Sequence, residues 1–289
     1  MVVPNSHICK SVDDIIELII DHLRDFKYDF KKLKYEVNFV NHNNRPVSFT
    51  KNDEIGVIRI SKSHVANIWS CALFCQVFYD ATFKVYDRIA EPKFKDFVLA
   101  RLDLDSAMDQ YDRARDYTFN IKKPYPYELC GHKSSFDHAT IISAAAILWS
   151  ILHETGHGEL DHALITVDEE IRREENEADD FATDNFIRVM PDKDGEFTFG
   201  SGLFVALISL FPLEPFKFSP QYPELYDRIL RQFSRMDLDP NHHVYWMALR
   251  PLQLMIRTWE IDIPHEEEAK SLIDKLFEYV HILHNYLYR

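Results

Sequence analysis

The chain has 289 residues, enough to bury a substantial core as one large domain or two smaller ones. Its 46% hydrophobic and 13% aromatic content is that of a folded protein rather than a solvated coil. A net charge of −14 leaves no uniform basic footprint and argues against non-specific nucleic-acid binding, and four cysteines, Cys9, Cys71, Cys75 and Cys130, are too few for a disulfide scaffold.

The opening residues MVVPNSHICK lack the form of a secretory signal. The most apolar stretches, near 140–152 and 201–213, are shorter than the ~20 residues that span a bilayer. A cytoplasmic location without a transmembrane segment is the expectation.

Ser11 precedes VDDIIELIIDHLRDF, where Ile15, Leu18, Ile19, Leu23 and Phe26 recur with helical period. The basic patch Tyr28 to Lys34 reads as the solvated end of that helix, where positive charge is favourable. Residues 35–41, YEVNFVN, alternate loosely and predict a strand; Asn41 to Asn44 with Pro46 mark a turn. Asp53 to Ile60 predicts a second strand, and the two are expected to pair as a hairpin with a long connection. Ser63 to Asp80 predicts a long apolar helix with Trp69, Phe74, Phe78 and Tyr79 in the core and Cys71 and Cys75 as buried free thiols.

Tyr86 to Leu102 carries no clean motif, and Ser106 to Asn120 reads as a charged helix or a mobile segment. Pro124 and Pro126 break regular structure, which makes 121–134 either a boundary or a loop lining a cleft. Residues 1–125 are thus read as an N-terminal α+β region and 126–289 as a helical core with C-terminal helices, unless the two form one continuous domain. His132 reads as a surface histidine.

The apolar run IISAAAILWSIL begins at Ile141 and leads directly into His153-Glu-Thr-Gly-His157, the pattern H-E-x-x-H. Ser134, Ser135 or Asp137 is the expected cap of this helix. Ala144, Ala145 and Ala146 allow close helix packing, Gly156 keeps a narrow surface beside the histidines, and Gly158 is placed to end the helix. His153 and His157 fall one turn apart on one face, so both imidazoles can reach one metal ion. Glu154 stands beside them as a general base, and polar groups entering an apolar region need partners or a metal. His138 is about four turns away, too distant to share the site.

Eighteen residues after His157 comes Glu175, followed by Asp179 on what reads as a second helix. Glu175 is the preferred third ligand, leaving a fourth position open as catalytic zinc requires. His162 is one residue short of the extended H-E-x-x-H-x-x-G-x-x-H spacing, where Ala163 stands. Among the many carboxylates from Asp168 to Asp180, Glu169, Glu170 and Glu174 are expected in water, and Ala178, Phe181 and Ala182 supply an apolar face. Pro191 to Phe199 reads as a loop or hairpin, and Ser201 to Phe211 as an apolar helix ended by Pro212 and Pro215. Tyr222, Leu225, Ile229, Leu230 and Phe233 mark an amphipathic helix whose Arg228, Arg231 and Arg235 are expected to be solvated. A further apolar helix starts near His242 and His243. These two are named as donors to the transition-state oxyanion, with Tyr245 as a weaker third. The last helix runs from Glu266 to Tyr288.

His153-Glu154-x-x-His157 with Glu175-x-x-x-Asp179 resembles the zincin-like zinc metallopeptidases in which a glutamate supplies the third ligand. The finer pattern, HETGH with Glu-x-x-Ala-Asp-x-Phe-Ala at 175–182, resembles two bacterial groups, the ImmA/IrrE-type peptidases and the phage-exclusion Lit-type proteases. In the former a Leu-Leu-Met-Pro element closely follows Phe-Ala, whereas here Met190-Pro191 comes later. The resemblance implies Zn2+ held by His153, His157 and Glu175, Glu154 as base, and Asp179 orienting a ligand histidine. It also implies one or a few protein substrates in a bacterial cell, a phage-defence setting, and gating by an activating peptide or regulatory partner. The expected fold is mainly α with a small N-terminal β element, and the expected activity is that of a zinc endopeptidase. Two alternatives stand beside it: a metal-stabilised interaction protein without activity, and a hydrolase of a non-peptide amide or ester.

Overall fold

The longest apolar run of the chain becomes the helix that the others surround. The structure, a computed structural model, describes residues 12–25, 34–41, 46–52, 55–86, 133–162, 168–190, 193–209, 225–258, 261 and 271–287. Among them, α1 (Val12–Asp25) is followed by β1 (Lys34–Val40), β2 (Val47–Asn52), β3 (Ile55–Ser61) and α2 (Lys62–Tyr86). Then come α3 (Lys133–Glu159), α4 (Asp168–Val189), α5 (Lys193–Ile208), α6 (Leu225–Met236), α7 (His243–Thr258) and α8 (Leu272–Leu287). The class is the expected one, mostly helical with a small N-terminal mixed sheet.

On α3, Ala139, Ile142, Ala144, Ala145, Ala146, Ile147, Leu148, Trp149, Ile151 and Leu152 are all buried, so its middle turns are enclosed on nearly every side. Its stretch Ser135–Glu159 is long and apolar enough to cross a membrane, but 78% of the apolar window is buried inside the protein. That apolarity is spent on the core, at about 1.5–3 kcal/mol for each large aliphatic side chain. Ala145 and Ala146 allow the expected close packing. A Cβ at Gly202 of α5 would come within 2.6 Å of Ala145 Cβ and 3.0 Å of Ala146 N, so the two helices meet at backbone distance. Trp69 Nε1 donates to Thr140 Oγ1 (3.3 Å) and Trp149 Nε1 to Thr183 Oγ1 (3.0 Å), which pins α2 and α4 to α3. α1, α2 and the sheet pack on α3 and share its core.

Three local expectations give way. The helix begins at Lys133, so Ser134, Ser135 and Asp137 lie inside its first turns rather than capping it; Ser135 Oγ instead donates to Asp80 Oδ2 of α2 at 2.6 Å. The expected hairpin of residues 35–41 with 53–60 is replaced by a three-stranded sheet of order β1-β3-β2. β3 pairs in parallel with β1, Lys34↔Ile55 through Val40↔Ser61, and antiparallel with β2, Val47↔Ile60 through Asn52↔Ile55. β2 is the near neighbour in sequence and takes the antiparallel edge. Two reversals of the chain then bring β1 back parallel. The third correction is at Pro191 to Phe199, where α5 already starts at Lys193. Phe199 is buried there with its ring centroid 4.6 Å from that of Phe186, and this packing overrides the turn-forming composition.

Cys71 and Cys75 are free and buried in α2. The basic residues at 31–33, most of 86–102, all of 106–120, the proposed boundary up to His132, Cys9, Cys130, Pro212 and Pro215 lie outside the described residues.

Candidate metal centre

His153 and His157 occupy successive turns near the C-terminal end of α3, and their Nε2 atoms are 3.3 Å apart. The third group arrives on α4, which reaches α3 closely because position 156 is glycine. A Cβ there would lie 3.1 Å from Ala178 Cα and 3.2 Å from Phe181 Cδ1. Glu175, just before Ala178, then places Oε2 3.3 Å from His153 Nε2 and Oε1 3.7 Å from His157 Nε2. The three donor atoms lie within 4.8 Å of one another. Ligand atoms about 2.0–2.1 Å from a single ion, at tetrahedral angles, stand about 3.3–3.4 Å apart. The two imidazole nitrogens stand at that separation and the two carboxylate oxygens lie at or somewhat beyond it, so the cluster can hold a metal ion, and two imidazoles with one carboxylate are a donor set that zinc accepts.

The opposite ring nitrogens face other partners. His153 Nδ1 is 2.8 Å from Asp179 Oδ1, and Asp179 is fully buried. Arg228 of α6 holds that carboxylate with a two-pronged contact, Nε donating to Oδ2 (2.7 Å) and Nη2 to Oδ1 (2.8 Å). Trp149 stacks on the His153 ring with centroids 5.7 Å apart. A metal-directed histidine braced by a carboxylate is the arrangement that fixes tautomer and ring orientation.

Burial alone would lower the His153 pKa, but Asp179 and Glu175 outweigh it and raise it to about 10. Burial and then His153 push His157 down to about 3, so it is neutral. Burial would push the Glu175 carboxyl up; His153, supported by Arg228, brings it down to about 2. Burial opposes ionisation of Asp179 as well, and Arg228 with His153 holds it well below the usual carboxylate range. The pocket is thus built to hold one positive charge between these side chains, a proton on His153 or a metal ion in its place.

Of the residues singled out in the sequence, His153, His157, Glu175 and Asp179 come together here. Glu154 is half-buried at the intervening helical position. His242 and His243 have other partners. His242 Nε2 lies 3.5 Å from Glu196 Oε2 and its Nδ1 accepts from the Val244 amide. His243 Nδ1 lies 3.0 Å from Tyr79 Oη. Tyr79 adjoins Asp80, which is bonded to Ser135 at the start of α3; His153 stands 18 residues further, about 27 Å along the helix axis. Tyr245 is fully buried against Phe233 (centroids 5.6 Å).

Two expectations near the site are corrected. Glu174 is only 8% exposed rather than solvated, because it stands one turn before Ala178 on the stripe that faces α3. Of the arginines of α6, Arg228 is buried rather than solvated, while Arg231 and Arg235 are exposed as expected and paired at the surface. Besides Arg228 with Asp179, Arg231 Nε donates to Asp180 (2.8 Å) and Arg235 Nε to Asp184 (2.6 Å). Arg228 is the functional residue that sequence reasoning passed over. Its signal was a matched pair of patterns, acids at 179, 180 and 184 and arginines at 228, 231 and 235, both of helical spacing.

The family described as Peptidase U49 matches residues 58–248, a span that includes the whole cluster and Arg228. No curated protein and no solved structure matches the chain.

Proposed function

This chain belongs to the Peptidase U49 family, and from that membership and the geometry of the cluster we propose that it is a zinc-dependent endopeptidase with Glu154 as general base. Membership and the His/His/Glu triad together support a metal-dependent hydrolase. The observation that carries the finer reading is the convergence of His153 Nε2, His157 Nε2 and the Glu175 carboxylate, with the two imidazole nitrogens 3.3 Å apart, the separation of two ligands on one tetrahedral zinc ion.

His153, His157 and Glu175 would hold the ion, and Asp179, braced by Arg228, keeps His153 turned toward it. Zinc held there would supply Lewis acidity toward a scissile carbonyl and would lower the pKa of water. Glu154 takes the proton of the attacking water and delivers it to the departing amine. We further place its targets among a few folded proteins inside the cell, in a host-defence setting, with activity released by a partner or peptide. The net charge of −14 favours a basic target surface through encounter rate.

The test compares wild type with Glu154→Gln. Both are expected to purify with stoichiometric zinc, since the substitution removes the base and no ligand. Each is then incubated with bacterial lysate, and new protein termini are compared by mass spectrometry. One or two sites cut by wild type alone are expected. Equal cutting by both proteins removes Glu154 from the mechanism. Zinc without cutting, in resting or phage-infected lysate, moves the assignment to a metal-stabilised interaction protein.

A further inference from the structure

We propose that His162 and Glu177 are positioning residues for His157, forming with it a relay that decides which of its ring nitrogens faces the metal; this rests on the zinc-site reading above. His162 stands outside the ligand triad. Its Nδ1 lies 2.9 Å from His157 Nδ1, the nitrogen turned away from His153 and Glu175, and its Nε2 lies 3.2 Å from Glu177 Oε2. Two facing ring nitrogens bond only when one carries hydrogen and the other a lone pair. Glu177 decides which is which. An ionised carboxylate only accepts, so it draws hydrogen to His162 Nε2, and an imidazole carrying one ring hydrogen then presents a lone pair at Nδ1. His157 must donate from Nδ1, which leaves the lone pair of Nε2 pointing into the cluster. His153 faces its carboxylate, Asp179, directly; His157 reaches one only through an imidazole, and that carboxylate is 48% exposed.

The chain builds a particular turn to deliver His162. After α3, Asp161 takes a left-handed φ of 52°. The His162 amide donates to the His157 carbonyl (3.0 Å). The sheet clamps this turn from outside. Lys51 Nζ pairs with Asp161 Oδ1 (3.0 Å), and Tyr35 Oη donates to Glu159 Oε1 (3.0 Å). Gly158 does not end the helix; it clears space for the sheet, since a Cβ there would lie 2.8 Å from Phe49 Cζ and 2.9 Å from Tyr35 Oη. The outcome is a histidine side chain only 6% exposed on a turn at the protein surface.

Zinc affinity of the full chain is measured by competition with a chromophoric chelator for wild type, His162→Phe, His162→Gln and Glu177→Ala, with His157→Ala as the ligand-deficient reference. His162→Phe is expected to bind zinc roughly 10–100-fold more weakly, the usual cost of losing a ligand's supporting partner. His162→Gln restores most of the affinity, because its amide oxygen accepts from His157 and its NH2 donates to Glu177. A second readout uses the zinc-free proteins: imidazole 15N shifts are expected to show His157 as the Nδ1–H tautomer in wild type and His162→Gln, and as a mixture in His162→Phe and Glu177→Ala. Unchanged affinity together with an unchanged tautomer in His162→Phe overturns the relay. If that variant does not fold, Glu177→Ala decides, and an unchanged tautomer there overturns it equally. Wild type that binds no zinc defeats the proposed function, while the tautomer comparison still judges the relay on its own.

Discussion

Gly156→Ala tests whether the close approach of α4 to α3 is what places the third ligand. The added Cβ would stand 3.1 Å from Ala178 Cα, 3.2 Å from Phe181 Cδ1 and 3.3 Å from Ala178 O. Carbon contacts are comfortable at about 3.5–4.0 Å, so α4 must withdraw by roughly 0.3–0.5 Å at this level. Two of the three contacts are with backbone and cannot be relieved by a rotamer. Glu175 lies one turn before Ala178 and withdraws with it. Its distances to the histidines, now 3.3 and 3.7 Å, are then stretched away from the tetrahedral separation and toward the roughly 4 Å limit set by two bonds near 2.0–2.1 Å. Overpacking costs about 1–3 kcal/mol, while alanine gains about 1 kcal/mol over glycine in helix propensity. The net loss of fold stability is therefore about 0–2 kcal/mol. Zinc affinity should fall at least about tenfold, as it does when a ligand's support is disturbed. Urea unfolding of the zinc-free protein and chelator competition measure the two separately. A Gly156→Ala protein that holds zinc as tightly as its parent would refute the argument that helix approach sets the Glu175 position.

Arg228→Met removes one of the two cations that face the buried Asp179 carboxylate and leaves only His153, and a loss of up to about 3–5 kcal/mol in urea unfolding is expected. Asp179→Asn added to it should recover part of the stability but not the zinc affinity, since His153 would still lack its carboxylate. Arg235→Ala breaks a pair whose members are 37% and 42% exposed, so it should change stability by no more than about 1 kcal/mol, an effect that shrinks in salt. The zinc-free protein should lose stability as pH rises from about 6.5 to about 10. His153 has a raised folded pKa, so its contribution is full below the unfolded value and fades through the folded one. The slope is at most about 1.4 kcal/mol per pH unit. Zinc replaces that proton, so the zinc-induced rise in Tm should grow over the same window; a pH-independent rise contradicts the assignment of the charge to His153. On the acid side Glu175 acts in the opposite sense, contributing above its ordinary range and losing that contribution as pH falls toward 2.

What could be read from the sequence was what depends on spacing along one element. H-E-x-x-H on an apolar helix put His153 and His157 on one face, and the four-residue step from Glu175 to Asp179 put both acids on another. A helix repeats every 3.6 residues whatever surrounds it. The long helices, read at 63–80 and through 141–157, were visible instead as apolar runs too long for a strand, while the apolar face at Ala178 and Ala182 followed from helical period. Only the tertiary structure decided what depends on two elements meeting. The strand at 47–52 is visible through its pairing with β3, and α5 begins in a turn-like segment because its phenylalanines find the core. The environment of a charge is of this kind as well. Glu174 and Arg228 look like surface residues in isolation, and their burial depends on α3 and on the Asp179 carboxylate that α4 brings opposite. His162 is the same case. Its distance from His157 in sequence does not tell a ligand from a partner of a ligand, and the left-handed turn at Asp161, held by the sheet, selects which ring nitrogen it meets. Sequence spacing determines which residues share a face; contact between faces is settled by packing, and the charge and tautomer of each group at this centre follow from that contact.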